Sequence, residues 1–274
     1  MSLPGHDCDN CPAGAQLEQM GIRLEKFDRL VALAGNPNTG KSSVFNSLTG
    51  LKQHVGNWPG KTVARAEGGF VFNGVRYKLV DLPGIYSLLS ASQDEEISRN
   101  FLLFGRPDCT IVVVDATALE RNLNLVMQVL EITSKVVVCV NLMDEARRKG
   151  LEVDVRSLAR DLGVPAVGTI ARTGEGLSEL IQTVAGVIAG EIATKPLRPK
   201  HPPEIEEAIG ELTPMIEAAV PGVPNARWIA YRLLDGDHRM RQALSTGELA
   251  ELVKAKGAPA EAAQSKLISL QGKQ

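Results

Sequence analysis

Gly35-Asn36-Pro37-Asn38-Thr39-Gly40-Lys41-Ser42 follows directly on the apolar run Leu30-Val31-Ala32-Leu33-Ala34. The octet completes the pattern G-x-x-x-x-G-K-[ST], so strand, phosphate loop and helix are expected in that order. In such a loop successive backbone N–H groups turn inward around a β-phosphate, which demands glycine where the chain is cramped. Lys41 then reaches the β- and γ-phosphates and Ser42 a magnesium ion. The contact set comprises Gly35, Asn38, Thr39, Gly40, Lys41, Ser42 and Ser43. A helix from Lys41 to about Leu48 aims its positive dipole end at the same anion. Asn38 has two readings at this point, a side-chain amide that coordinates a cation beside the phosphates or an ordinary turn residue.

Downstream of this loop, strand-like and helix-like segments alternate from residue 28 to 190, the pattern of a mostly parallel sheet covered on both faces. Gly69-Phe70-Val71-Phe72 and Val75 to Val80 flank Asn73-Gly74, a strong hairpin signal that predicts one antiparallel edge strand. Strands are expected near 109–115, 135–141 and 165–169, and helices near 119–133, 155–162 and 175–190. Lys52 to Arg65 reads as too irregular for either element. Four prolines between Lys195 and Pro203 mark a boundary. Beyond it, Ile205–Val220, Ala226–Leu234, Thr246–Ala255 and Glu261–Leu270 read as short amphipathic helices. The expected division is therefore a flexible N-terminal leader, 1–27, an α/β domain, 28–194, and a small all-α domain, 195–274.

The 274 residues are 44% apolar and 23% charged, the content of a globular protein. A net charge of −2 gives no electrostatic reason to expect a nucleic-acid partner. The helical tail carries nearly equal numbers of basic and acidic residues, so it lacks the basic face an RNA-binding extension requires. The longest apolar runs fall far short of the ~20 residues of a spanning helix. No secretory signal opens the chain, and a cytoplasmic site of action is expected. Cys109 and Cys139 read as small buried thiols. Cys8 and Cys11 have C-x-x-C spacing without a second ligand pair, which leaves a flexible segment or a metal site open.

Two further motifs bear on the nucleotide. Asp81-Leu82-Pro83-Gly84 ends the strand Tyr77–Val80; there Asp81 can hold magnesium through water and the Gly84 N–H can donate to a γ-phosphate. Asn141-Leu142-Met143-Asp144 follows the strand 136–140, where the Asp144 carboxylate can accept from guanine N1–H and N2–H₂, a donor pair adenine lacks. Leu142 replaces the lysine whose stem often packs on the base. Thr169-Ile170-Ala171-Arg172 stands where a Ser-Ala-Lys loop is usual, so the Ala171 N–H can reach guanine O6 with one internal support fewer. Thr62 is the expected second-loop threonine for magnesium.

These stations occur in the order and spacing of the translation-factor-like GTPases, and the fold class follows as a Ras-like phosphate-loop α/β domain with an all-α appendage. One position departs from the Ras pattern. Ile85 follows Gly84 where those enzymes place a water-orienting glutamine, so water must be positioned by backbone, another loop, a cation or a partner. With Gly56-Asn57-Trp58-Pro59-Gly60-Lys61-Thr62, Asp81 to Leu88 and Asn141 to Ala146, residues 28 to about 190 resemble the N-terminal GTPase part of the bacterial ferrous-iron transporters called FeoB. Arg227 to Asp237 resembles the helical domain that follows in that family.

The resemblance implies GTP and GDP as ligands, Mg²⁺ and K⁺ as cofactors, and slow, potassium-stimulated hydrolysis. It puts Asn38 on K⁺ together with the carbonyls of Gly56 and Trp58. It further implies a membrane-embedded iron-permease portion of a longer chain as partner, on the cytoplasmic face of the inner membrane. No iron site is visible in the residues themselves, and a homo-oligomer is left open. The competing reading is a stand-alone GTPase switch on RNA or ribosome assembly, for which a basic C-terminal extension would be the sign.

Overall fold

The computed structural model describes residues 17–18, 20–22, 27–50, 53–89, 92–198 and 201–253. Its centre is a seven-stranded sheet in the order β2-β3-β4-β1-β5-β6-β7, formed by Gln53–Asn57 (β2), Ala64–Phe72 (β3), Val75–Asp81 (β4), Arg29–Gly35 (β1), Cys109–Asp115 (β5), Val136–Asn141 (β6) and Ala166–Gly168 (β7). β4, β1, β5, β6 and β7 are mutually parallel, while β3 pairs antiparallel with β4 and with β2. β3 thus runs against all the others. The register Leu33↔Asp81, Gly35↔Val113 and Asp115↔Asn141 brings the carboxyl ends of four strands to one edge, where open parallel sheets bind ligands.

Period-two alternation divides the strand residues between two cores. Ala32, Ala34, Val80, Val112, Val114, Val138 and Val140 face α2 (Gln93–Phe104) and α3 (Leu119–Ile132). Val31, Leu33, Leu79, Ile111, Val113, Val137 and Cys139 face α1 (Lys41–Thr49) and α6 (Leu177–Ala189). Between β6 and α6 lie two shorter helices, Met143–Arg148 (α4) and Val155–Leu162 (α5). Cys109 and Cys139 are both fully buried free thiols, and burial pushes each up to about 12, so neither forms a thiolate at neutral pH.

Several elements differ from the sequence reading. The stretch 52–65 contains β2, and the sheet's outer edge is this strand rather than the hairpin strand expected there. His54, Val55 and Asn57 are all exposed, so β2 shows no alternation for a sequence pattern to reveal. β3 begins at Ala64, five residues before the expected start. Helix α2 went unpredicted although Ser92 caps it by accepting from the Glu95 N–H and three acidic residues fill its first turn. Leu17 and Ile22, from the segment expected to be a flexible leader, are buried in the core.

The helical part consists of Pro203–Ala219 (α7), Ala226–Leu234 (α8), His238–Ser245 (α9) and Glu248–Val253 (α10). α9 is a further element that sequence patterning missed; the helix expected at 261–270 lies outside the described residues, as do Cys8 and Cys11. Among the described residues no helix is long and apolar enough to cross a membrane.

The two parts share structure. Leu103 and Phe104, at the end of α2, are buried with Ile209, Ile216, Trp228, Ile229 and Met240 of the helical part. Asn225, held at φ 49, donates from Nδ2 to the carbonyls of Glu131 (3.0 Å) and Ile132 (3.1 Å), the end of α3. Its Oδ1 accepts from the Trp228 N–H at 3.2 Å and so caps α8. One carboxamide therefore satisfies orphan groups at the end of one helix and the start of another. Asn225→Ala should lower the unfolding free energy by about 1–2 kcal/mol in a urea titration. An unchanged midpoint would show that this junction contributes nothing.

Candidate functional site

The phosphate loop closes the carboxyl end of β1. Its backbone is left-handed at Asn38 (φ 67) and Gly40 (φ 77), and Thr39 Oγ1 donates to the Asn36 carbonyl at 2.9 Å. Gly40 is required twice over. Besides its φ, a Cβ there would collide with Asn141 Nδ2. At Gly35 a Cβ would meet the Val113 carbonyl at 2.7 Å, so strand pairing excludes a side chain. The Asn38 side chain is exposed at the loop's rim, whereas Asn36 is buried with both amide atoms lacking a partner among the described residues.

Lys41 and Asp81 form a largely buried ion pair between the ammonium and Asp81 Oδ1. Burial pushes the Asp81 carboxyl up, and the neighbouring Lys41 charge pulls it back down. The segment after Asp81 is sewn to the loop by the Leu82 N–H on the Leu33 carbonyl (2.9 Å) and the Ile85 N–H on the Gly35 carbonyl (3.2 Å). Gly84 backs onto Pro37, where a Cβ would make a 3.5 Å contact. Ile85 is buried in the core and Tyr86 is exposed beneath the Arg121 guanidinium, 4.5 Å from its ring centroid. The position after Gly84 therefore offers no side chain to the loop. Ser42 and Ser43 lie exposed in the first turn of α1.

Asn141, fully buried, draws three loops together. Its Nδ2 donates to the Thr39 carbonyl at 3.0 Å, and its Oδ1 accepts from Thr169 Oγ1 and the Ala171 N–H, both at 3.1 Å. The Ala171 N–H expected to meet a guanine O6 thus already has a partner. Thr169 also supplies, one residue earlier, the hydroxyl support that replacement of the usual serine takes away. Sequence reading missed this role because the two residues are 28 apart and Thr169 precedes the motif. Leu142, left-handed at φ 64, opens α4, and its Cδ2 lies 3.7 Å from where a Gly40 Cβ would stand. Asp144 is partly exposed and faces Arg172 at 3.4 Å and Arg148 at 3.7 Å.

The second loop is a hairpin turn between β2 and β3. Gly56 pairs with Arg65 in the strand register. The Trp58 N–H donates to the Val63 carbonyl, and the Trp58 carbonyl accepts from the Lys61 N–H, each at 3.0 Å. The Trp58 indole is buried edge-on to Phe101, and Thr62 is exposed at the tip. The structure thus brings the phosphate loop, Asp81, Gly84, Asn141, Asp144 and Ala171 to one edge of the sheet and holds Gly56, Trp58 and Thr62 in a separate hairpin. Among the described residues no cluster of three or more His, Cys, Asp or Glu is arranged to hold a metal.

This arrangement has close counterparts. Residues 29–184 match the family model of ferrous iron transport protein B, and residues 201–267 match that of the FeoB cytosolic helical domain. The chain belongs to the FeoB family. A fusion of Fe(2+) transport protein A and Fe(2+) transporter FeoB from Porphyromonas gingivalis is 41% identical over 246 residues, covering 88% of this chain and 29% of that protein. The Fe(2+) transporter FeoB of Escherichia coli K12 is 37% identical over 211 residues, 76% of this chain and 27% of that protein. The chain therefore spans less than a third of the length of these FeoB relatives.

Among solved structures, the cytosolic domain of the T. maritima FeoB iron transporter superposes in its apo form with TM-score 0.72 at 35% identity, covering 88% of this chain and 92% of that one. Its GMPPNP form gives 0.71 at 34% identity, covering 89% and 92%. The cytosolic domain of L. pneumophila FeoB gives 0.72 at 32% identity, covering 88% and 93%. The chain carries the phosphate-loop domain and helical domain of FeoB. Asn141→Ala should cost about 2–4 kcal/mol of stability with no nucleotide present, because it strands the Thr39 carbonyl and the Ala171 N–H and leaves the Thr169 hydroxyl only Cys139 Sγ. A melting curve identical to that of the parent chain would refute this structural role.

Proposed function

We propose that this chain binds GTP and hydrolyses it slowly with potassium stimulation, as the cytosolic regulatory part of a membrane ferrous-iron transporter. The observation that carries the proposal is the tie from Asn141 to Thr39 and Ala171, which fixes the phosphate loop and the expected base pocket at one spacing. Backbone amides from Gly35 to Ser43 cradle the phosphates, with Lys41 on the β- and γ-oxygens. Asp144 selects guanine through its carboxylate, next to Leu142 and Ala171. Nucleotide entry then has two local requirements: Lys41 exchanges Asp81 for phosphate, and Arg172 yields Asp144 to the base.

Ser42, Thr62 and Asp81 fit Mg²⁺, since they supply two hydroxyls and a carboxylate, the hard oxygen donors it prefers. Asn38 fits K⁺, because its exposed amide stands on the loop rim beside the phosphate site. Gly56 and Trp58 carbonyls would complete that shell once the second loop leaves its hairpin. The two cations supply positive charge against the charge that develops on the transferring phosphoryl group. With Ile85 buried, the side chain after Gly84 cannot orient water, so backbone, another loop, a cation or a partner takes that role while the Gly84 N–H donates to the γ-phosphate. The membrane permease portion of a longer chain is the proposed partner, reached through the helical domain.

Hydrolysis measured by phosphate release should be faster in KCl than in NaCl, and Asn38→Ala should abolish that difference while retaining GDP binding. A full potassium response in the variant would remove Asn38 from the cation shell. Asp144→Asn exchanges an acceptor for a donor-bearing amide and should shift preference from guanosine to xanthosine nucleotides by at least about a hundredfold. Unaltered guanosine preference in competition binding would sink the assignment of the base pocket.

A further inference from the structure

Leu17, Glu18 and residues 20–22, upstream of the family match that begins at residue 29, close a turn. The Ile22 N–H donates to the Leu17 carbonyl and the Gly21 N–H to the Glu18 carbonyl, both at 2.8 Å, with Gly21 left-handed at φ 74. This paired bonding around a left-handed glycine is a Schellman terminus, which characteristically brings the residues at its two ends into apolar contact. Here those residues, Leu17 and Ile22, are 4% and 2% exposed and lie in the cluster that contains Trp58, Ile85 and Leu88. The turn thus belongs to the same core as the Trp58 indole of the second loop.

Its polar end meets the second loop as well. Arg65 Nη1 donates to the Met20 carbonyl at 3.1 Å, while Arg65 Nε pairs with Glu67 at 2.8 Å and its guanidinium lies 5.7 Å from the Trp58 ring centroid. Gly21 sits so close to the hairpin that a Cβ there would collide with Arg65 Nη1 and stand 2.9 Å from Pro59 Cγ. The turn therefore lies against residues on both sides of Thr62, with Trp58 and Pro59 before it and Arg65 after it.

The hairpin it contacts has a weak point. The Trp58 indole N–H is buried without a hydrogen-bond partner among the described residues, which penalises this state of the loop. The bond from Arg65 to the Met20 carbonyl and the packing of Gly21 against Pro59 stabilise this state of the loop against that penalty. Contacts made in one loop state and lost in the other shift the population toward the first.

We propose that the turn formed by Leu17, Glu18, Met20, Gly21 and Ile22 is an intrachain brake, which holds the second loop in its hairpin and opposes closure of Thr62 over a bound nucleoside triphosphate. This rests on the reading of Gly56, Trp58 and Thr62 given under Proposed function. The brake acts on the triphosphate state, because a diphosphate offers the second loop no γ-phosphate to close on.

The test uses the whole 274-residue chain and two variants, Gly21→Ala, which leaves every core side chain in place, and the double substitution Leu17→Ser with Ile22→Ser. Hydrogen exchange at the Trp58 and Lys61 amides reads the hairpin, and fluorescent GDP and non-hydrolysable GTP analogues read the nucleotide, in MgCl₂ and KCl. Both variants should exchange faster at these amides and bind the triphosphate analogue about tenfold more tightly, with GDP affinity unchanged. Unchanged exchange in both variants would overturn the proposal, and so would faster exchange with an unaltered ratio of the two affinities.

Thr62→Ala added to Gly21→Ala should erase the gain, and a gain that survives it overturns a brake acting through this loop. Thr62→Ala alone interrogates the underlying reading. If it leaves triphosphate binding intact, the second-loop assignment fails whatever Gly21→Ala does.

Discussion

The site depends on one carboxamide held away from water. Asn141 bridges the carbonyl of the phosphate loop and two donors of the loop after β7, and its amide carries donor and acceptor on separate atoms that face the two loops at once. A carboxylate would repel the Thr39 carbonyl, and an apolar residue would strand both loops. The glycine requirement at position 40 follows from the same bond, since the approach of Nδ2 leaves no room for a side chain. A motif residue often assigned to the ligand is here first a piece of architecture. The phosphate loop and the loop after β7 lie far apart in the chain, and this amide fixes their separation.

Charge is arranged around that fixed frame with less permanence. Lys41 and Asp81 neutralise each other in a nearly dry setting, and Asp144 is shared between two exposed arginines. Neither arrangement is a strong source of stability, because buried pairs forfeit hydration and exposed pairs are screened. Both are therefore suited to exchange of partners. A polyanion would bring several acceptors to Lys41 in place of the one that Asp81 now supplies.

The sequence disclosed the parts of the fold in which local chemistry and tertiary environment agree. Asn73-Gly74 turns the hairpin with φ of 50 and 77 at the two residues, as the dipeptide dictates, and the buried central strands announce themselves as unbroken valine-rich runs. β2 stayed hidden because an edge strand open to solvent carries no periodic signal. Helix α9 stayed hidden because His238, Arg239, Arg241 and Gln242 make its composition polar, and only Met240 and Ala243 of it are buried. The phosphate loop could be read because its pattern is spelled by backbone constraints within eight residues. The role of Thr169 toward Asn141, the partnership of Arg172 with Asp144 and the burial of Leu17 and Ile22 could not be read. Each depends on residues far apart in the chain, and no fixed spacing encodes such a meeting. Nothing local to Gly21 says what the turn it ends rests against.

Asn225 has a mechanical consequence. It pins the last carbonyls of α3 to the first turn of α8 at a single point, while Arg239 of α9 reaches Glu96 of α2 some distance away. With Leu103 and Phe104 buried among the same helices, the helical part is clasped to both α2 and α3. A tilt of either helix is therefore carried into it rather than absorbed at a loose joint.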